Sequence, residues 1–435
     1  MLVLCVLSNK EFIIMKYTRE QLTDNIGFTA IIDPKFKTNT ISVKFITDLC
    51  KETNSENSIA VGILATSNAK YKTLAELTAK LSSLYGSSVY ADVKKRGDIQ
   101  VLSLGASWID NSFTIGNEDI NSEMIEIFSD CIFHPNADGE KFDLASFNIR
   151  KNDLLDKIEA EINNRRGYAI SQALETAFCG EPAAYSPCGK RDEAEAVTPE
   201  SAFKAYKNLM KDAQIEIFFV SPSENNTVKE KLASEFAQIE RSAPKKYCFS
   251  SLSPVKDSVA KPTEELDVNQ AKMVMVLKSD LIDEPAMKLM STILGETPFS
   301  KLFANVREKL SLCYYCSSSF IASKNSFTIQ SGIETANIEK SETEILHQLE
   351  DIKNGNFELS DIENSVLTLE NGLTAVGDVP SGYISWYFSR FCEGDFISPL
   401  DILEKFRTVS KERIIEAAKS LKLDTIYLMV PKEVK

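Results

Sequence analysis

From Leu74 to Leu84, apolar residues return every three or four positions (Leu74, Leu77, Leu81, Leu84) with polar residues between them. That spacing places one apolar stripe on a helix over 74–85, which Gly86 closes. On either side the pattern changes to short runs rich in β-branched and aromatic residues. Runs at 26–33 and 39–48 flank Pro34-Lys-Phe-Lys and predict a hairpin, and 87–93 with 98–107 predict a second pair of strands. Helices follow near 121–133, 141–163 and 166–178. The second half begins again with a strand at 271–278 and a helix at 284–294. Strands at 313–322 and 326–334 then turn through Ser323-Lys-Asn, and helices are expected near 338–353, 360–376 and 381–391. Strands grouped with runs of helices predict the α+β class, with mainly antiparallel sheets and helices packed on one face of each.

The two halves end alike. VTPESAFKAYKNL (197–209) opens with a capping threonine and a first-turn proline, and runs into the strand QIEIFFV (214–220). VSKERIIEAAKSL (409–421) runs into TIYLMV (425–430) in the same way. Glu200, Lys207 and Leu209 correspond to Glu412, Lys419 and Leu421 at an offset of about 212 residues, which predicts an internal duplication. The proline-, serine- and lysine-rich stretch 241–267 separates the copies, giving one domain over 16–240, a linker over 241–267 and a second domain over 268–435.

The 435 residues suffice for several cores, and 43% hydrophobic with 26% charged residues is ordinary for a globular chain. A net charge of −14, from 49 basic and 63 acidic side chains, argues against nucleic acid or an anionic membrane as partner. Nine scattered cysteines fit reduced, mostly buried thiols and a cytoplasmic location. Cys313 and Cys316, three apart on a predicted strand, point to opposite faces there and make a poor metal clip. The first 15 residues are apolar but broken by Asn9, Lys10 and Glu11, and are expected to be an extension to a chain starting at Met15, with neither signal peptide nor membrane span.

SKLFANVREKLSLCYY (300–315) carries the most specific pattern. Leu302, Phe303, Val306 and Leu310 recur at helical spacing, with Arg307 on the flank of their stripe and a strand beginning at Cys313. A guanidinium held there, seven positions before Tyr314, can clamp a carbonyl or oxyanion. The segment resembles the arginine/tyrosine motif of the pitrilysin/insulinase family of zinc peptidases, with Arg307 and Tyr314 as the matching pair. The resemblance covers nearly the whole chain, strongest at 296–316 and weaker at 69–104. It implies two similar α+β domains forming half of a clamshell.

The same family carries zinc on an inverted H-x-x-E-H helix, with a glutamate further along. This chain has only two histidines, His134 and His347, in different halves. Counting back from the 74–85 helix, Ile59 and Ile63 stand where the histidines belong and Gly62 where the base belongs. Lys157, or its neighbour Asp156, takes the place of the acidic ligand. Isoleucine cannot bind zinc and lysine repels it, so no cofactor is expected in this chain. His134 reads as a helix cap or surface residue, His347 as solvent-facing, and 295–300 as a helix-to-helix turn and not a phosphate loop. The resemblance implies a non-catalytic subunit that pairs with an active H-x-x-E-H homologue, which holds the zinc, around an unfolded peptide. The alternatives are a peptide-binding scaffold with no part in hydrolysis, and a metallopeptidase with atypical ligands. A homodimer is a further option.

Overall fold

Two sheets of the same design carry the chain in the computed structural model, which describes residues 15–116 and 118–432. The first combines β1 (Lys16–Thr23), β2 (Ile26–Ile32), β3 (Thr38–Asp48), β4 (Ser88–Arg96), β5 (Ile99–Ile109) and a late strand, β8 (Gln214–Ser221), in the order β1-β2-β8-β3-β5-β4. Helices α1 (Asn54–Leu64), α2 (Leu74–Ser83), α3 (Ile120–Phe133), α4 (Leu144–Ala160), α5 (Arg165–Ala177), α6 (Arg191–Ala196) and α7 (Pro199–Asp212) fall between these strands, with a short ribbon of β6 (Ala137–Asp138) and β7 (Lys141–Phe142); α8 (Asn226–Phe236) follows β8.

The second sheet runs β11-β12-β10-β13-β9, from β9 (Thr263–Leu266), β10 (Ala271–Lys278), β11 (Cys313–Ile321), β12 (Ser326–Ile333) and β13 (Lys422–Pro431). Its helices are α9 (Glu284–Ser291), α10 (Ile338–Lys353), α11 (Leu359–Ala375), α12 (Pro380–Glu393), α13 (Pro399–Arg407) and α14 (Lys411–Ser420). β13 runs antiparallel to β10 and parallel to β9, as β8 runs antiparallel to β3 and parallel to β2. The duplication seen in the 197–220 and 409–430 segments is therefore a duplication of topology.

Two sequence expectations change. Strands β2 and β3 flank the predicted turn but do not pair: β8 inserts between them, so the expected 26–48 hairpin is open. A hairpin reading sees only neighbours in sequence, whereas the apolar residues of β8 bury both faces and claim the central place. The proposed linker 241–267 also loses its end to the second sheet, because β9 pairs with β13 and Ala260 bridges Thr425. The 1–15 extension, apart from Met15, lies outside the described residues.

Side chains alternate across each strand, so every sheet has two faces to cover. In the first sheet Ile41, Val43 and Phe45 turn toward its own helices, among them Ile59 and Ile63 of α1 and Leu77 and Leu81 of α2. The opposite face is covered from the other half. α12 lays Tyr383, Ile384 and Tyr387 on Ile31, Phe218 and Val220. In return, α5 lays Ala169, Ala173 and Ala177 on Val274, Val276, Tyr427 and Met429 of the second sheet. The small alanine face lets that helix lie close to the strands.

Buried charges join the same boundary. Lys324, in the β11–β12 turn and 2% exposed in its side chain, reaches Asp98 at 3.1 Å and Glu181 at 2.7 Å in the first half. Lys278 donates to the carbonyl of Ala177, at the end of α5, at 2.7 Å and pairs with Asp424 at 3.2 Å. Lys44 has a poorer setting on the α12 side of β3. It donates to the Ser103 hydroxyl at 3.2 Å and lies 5.0 Å from the Phe388 ring centroid; burial, reinforced by the charge of Lys94, pushes its pKa down to about 8.

Because each half supplies a wall of the other's core, the two should unfold together. Urea unfolding followed separately through Trp108 and Trp386, in single-tryptophan variants, is expected to give coincident transitions. Ala173→Leu, which overfills the α5 contact, should lower both midpoints together, at a cost of about 1–3 kcal/mol. For Lys44 the folded pKa lies below the unfolded value of about 10.4, so between about pH 8 and that value the unfolded chain binds more protons and stability gains with rising pH. Lys44→Met should remove that increment and be more stable than the natural chain at pH 7, as read from the difference between the two denaturation curves across pH.

Candidate functional site

Helix α1 has two faces with different duties. Ile59 and Ile63, at the positions counted as degenerate histidines, are 1% and 0% exposed and belong to the core beneath the sheet. The face turned to α4 carries Ser58 and Gly62, so of the three expected positions only Gly62 reaches that side. With Ala91, Asp92 and Val93 of β4, Arg150, Asp153, Leu154 and Lys157 of α4, and Cys188, they line a cleft of about 150 Å³. Lys157 is where the sequence placed it, opposite α1, with its ammonium 3.7 Å from the Cys188 sulfur. Asp156, named as its alternative, does not line the cleft.

The residues of this cleft do not fit zinc. Arg150 packs along Gly62, where a β-carbon would meet its Cδ at 3.4 Å, and its Nε donates to the Thr66 hydroxyl at 2.5 Å. A side chain at 62 would therefore lie in contact with that of Arg150. The two cations, Arg150 and Lys157, share the cleft with two carboxylates that are already paired, Asp153 with Arg150 at 3.0 Å and Asp92 with Lys94 at 2.8 Å. No group of three or more His, Cys, Asp or Glu side chains able to hold a metal exists among the described residues. His134 caps the C-terminus of α3, and His347 is exposed on α10 beside Glu344 at 3.4 Å.

Arg307 and Tyr314 meet in a different cleft, of about 370 Å³, lined by Arg307, Glu308, Ser311, Leu312, Cys313, Tyr314 and Glu334. The approach to it differs from the simple helix expected from residue spacing. Leu302–Lys309 is π-helical, ending with the Leu310 amide bonded to the Asn305 carbonyl at 3.1 Å. The wider turn keeps Leu302 and Val306 fully buried, leaves Phe303 half-buried under Arg307, and turns Leu310 out to 45% exposure. Ser311, at φ +53°, then reverses the chain into β11.

A bulge at the start of β11 completes the arrangement. The register against β12 slips between Cys313 and Tyr315, so Tyr314 projects outward at 53% exposure. The same extra residue turns both Cys313 and Cys316 into the core, correcting the expectation of opposite faces. The Arg307 guanidinium stacks 4.6 Å from the Phe303 ring centroid and lies 3.5 Å from Glu308. The Tyr314 hydroxyl donates to Glu334, and that hydrogen bond to a carboxylate holds its pKa above the ordinary phenol value. Glu334 was not singled out from the sequence; its signal lay in the β11–β12 hairpin, which brings the end of one strand beside the start of the other.

The cleft therefore presents one cation and one phenol at an open rim, with a carboxylate holding the phenol. Such a set can hydrogen-bond a backbone carbonyl. It shares no lining residue with the α1–α4 cleft.

Known proteins resemble the chain as a whole. Residues 196–369 match the family model described as the peptidase M16 inactive domain. The chain is 25% identical over 421 residues to a probable inactive metalloprotease, YmfF, of Bacillus subtilis (strain 168), covering 95% of this chain and 98% of that protein. Among solved structures, a conserved protein from Enterococcus faecalis V583 superposes with a TM-score of 0.87 at 23% identity, covering 96% of this chain and 99% of the other. A peptidase M16 inactive domain from Pseudomonas fluorescens superposes at 0.78 with 16% identity, over 96% and 99% of the two chains. The duplicated α+β fold is the fold of these structures, and the chain is similar over nearly its whole length to inactive, peptidase-like proteins of the M16 (pitrilysin/insulinase) kind, with residues 196–369 matching that family's inactive domain.

Proposed function

We propose that this chain is the non-catalytic half of a two-chain zinc peptidase. An active homologue supplies the H-x-x-E-H helix and its zinc; this chain closes the other side of a clamshell around an unfolded peptide in the cytoplasm. The observation that carries the proposal is the contrast between the clefts. The α1–α4 cleft holds Arg150 and Lys157 where the family resemblance expects metal ligands, while Arg307 and Tyr314 stand 41% and 53% exposed, in side chain and whole residue respectively, at the rim of an open cleft. Side chains retained only for packing have no reason to sit at such a rim.

In this reading Arg307 and Tyr314 hydrogen-bond the substrate backbone beside the scissile carbonyl in the partner's site, where negative charge develops. For Tyr314 to do so, its hydroxyl turns from Glu334 to the peptide. The engagement of that hydroxyl with Glu334, and of Arg307 with Phe303, favours a second reading, in which the chain binds or sequesters peptides and takes no part in hydrolysis.

The two readings separate in the reconstituted pair. If the pair hydrolyses peptide as proposed, Arg307→Ala should lower kcat by about 10²–10³, the effect of losing one oxyanion donor, while KM changes much less. Tyr314→Phe should act in the same direction. Unchanged kcat in both variants assigns the chain to binding alone. The isolated chain, dialysed against zinc and then against buffer, should retain far less than one equivalent by elemental analysis; one equivalent would restore the metallopeptidase alternative.

A further inference from the structure

One part of the second sheet combines positive charges with no opposing carboxylate. Tyr315 lies with its ring over Gly332, where a β-carbon would be 2.5 Å from ring atom Cε1, and Lys272 is the next residue in the same row on β10. Arg166, at the start of α5, stacks 4.5 Å from the Tyr315 ring centroid, with the Lys272 ammonium 5.7 Å from it. Both cations are held by neutral groups. Arg166 donates to Gln330 at 2.7 Å and to Ser317 at 3.3 Å, and Lys272 donates to Gln270 at 3.5 Å. Among the described residues neither forms an ion pair. The carboxylate in the same row, Glu264 on β9, is two strands from Lys272 and accepts hydrogen bonds from Tyr168 and Tyr427.

This arrangement is unfavourable unless something negative joins it. Two like charges share one aromatic ring in a chain whose net charge is −14. Burial and the neighbouring guanidinium of Arg166 together depress the Lys272 pKa. α5 adds to the strain, because its first turn holds Arg165 and Arg166 and no acid, at the helix end that already carries partial positive charge. The other copy of the fold serves as an internal control. There Tyr90 lies over Gly105 in the same manner, but Ser42 takes the place of Lys272, and the covering helix α12 begins with Pro380, Ser381 and Gly382. The tyrosine-over-glycine stack is thus a property of the fold, and the two cations were added to one copy alone.

We propose that Arg166 and Lys272, gathered on the Tyr315 ring, form a carboxylate-binding subsite for a bound peptide, one row along the sheet from the Arg307–Tyr314 cleft. The carboxylate is an acidic side chain or the peptide's C-terminus. It would accept from the guanidinium and the ammonium, and replace Gln330 and Ser317 as the partner of Arg166. The proposal rests on the reading of this chain as a peptide-binding subunit, but not on any part played by Arg307 or Tyr314 in hydrolysis.

The test uses the full chain and binding alone. Four forms of one short extended peptide are titrated by fluorescence anisotropy at low salt: glutamate with a free C-terminus, glutamine with a free C-terminus, glutamate with a C-terminal amide, and glutamine with the amide. At least one carboxylate form should bind about tenfold tighter than the doubly neutral peptide, with the advantage shrinking as salt rises. Loss with glutamine identifies the side chain as the source, and loss with the amide identifies the C-terminus. Arg166→Gln with Lys272→Gln should erase the preference, as should the single change Arg166→Gln at its exposed site in large part, with thermal melting unchanged. Equal binding of all four forms, a preference that survives the double variant, or no binding up to about 1 mM overturns the proposal. Because no hydrolysis is measured, that failure leaves the pairing with an active subunit standing, and a failure of pairing leaves this subsite standing.

Discussion

The exchange of helices between the halves is the constraint on which the rest of this structure depends. A sheet with apolar residues on both faces must be covered twice, and each sheet here has helices of its own for one face only. α12 closes the first sheet through Tyr383, Ile384 and Tyr387, and α5 closes the second through Ala169, Ala173 and Ala177. Separation would expose both inner faces to water, and would strip the buried Lys324 ammonium of its half-buried partners Asp98 and Glu181 across the same boundary. The two copies are therefore one folding body, and the position of every cleft is set relative to that shared boundary. α5 shows this directly: its alanines hold the second sheet while its first turn delivers Arg166 to Tyr315.

Duplication provided one scaffold with two separate clefts, and they lie at different places in the two copies: one beside the helix that follows β3, the other beside the helix that precedes β11. In the first, the helix that meets α4 offers Ser58 and Gly62, with Arg150 lying along Gly62. In the second, a π-helical segment and a bulge deliver Arg307 and Tyr314 to an open rim. Both departures from regular geometry fall in the segment that bears the functional pair. A straight α-helix followed by a regular strand would alter the faces on which Arg307, Tyr314 and the two cysteines emerge. That irregularity is retained although it interrupts the hydrogen-bond ladder where it occurs, and it accounts for Leu310 standing in solvent.

Much of the fold was legible along the chain because it is written in local periodicity. The stripes at 74–85 and 338–353, the capped starts at Thr198 and Ser410, and the turn through Asn325 all formed as their residues dictate. The errors share a cause. The hairpin of β2 and β3 failed because β8, nearly two hundred residues away, takes the place between them. That Ile59 and Ile63 turn into the core while Ser58 and Gly62 face α4 was not legible either, because an apolar helix with little amphipathic contrast does not announce which face meets a neighbour. The cysteine pair was misplaced because a bulge, which has no composition of its own, reverses the alternation.

What the sequence determined alone was which groups this chain has to offer: with histidines only at 134 and 347 it contains no H-x-x-E-H motif, and a segment of sixteen residues carries the arginine and tyrosine that resemble the family's pair. That is a matter of which atoms exist, and it needs no coordinates. Only the tertiary structure decided which groups stand together. It put Arg150 against Gly62, Glu334 under Tyr314, and Arg166 with Lys272 on one ring, because contacts between distant segments depend on strand order, register and helix exchange, none of which leaves a local trace.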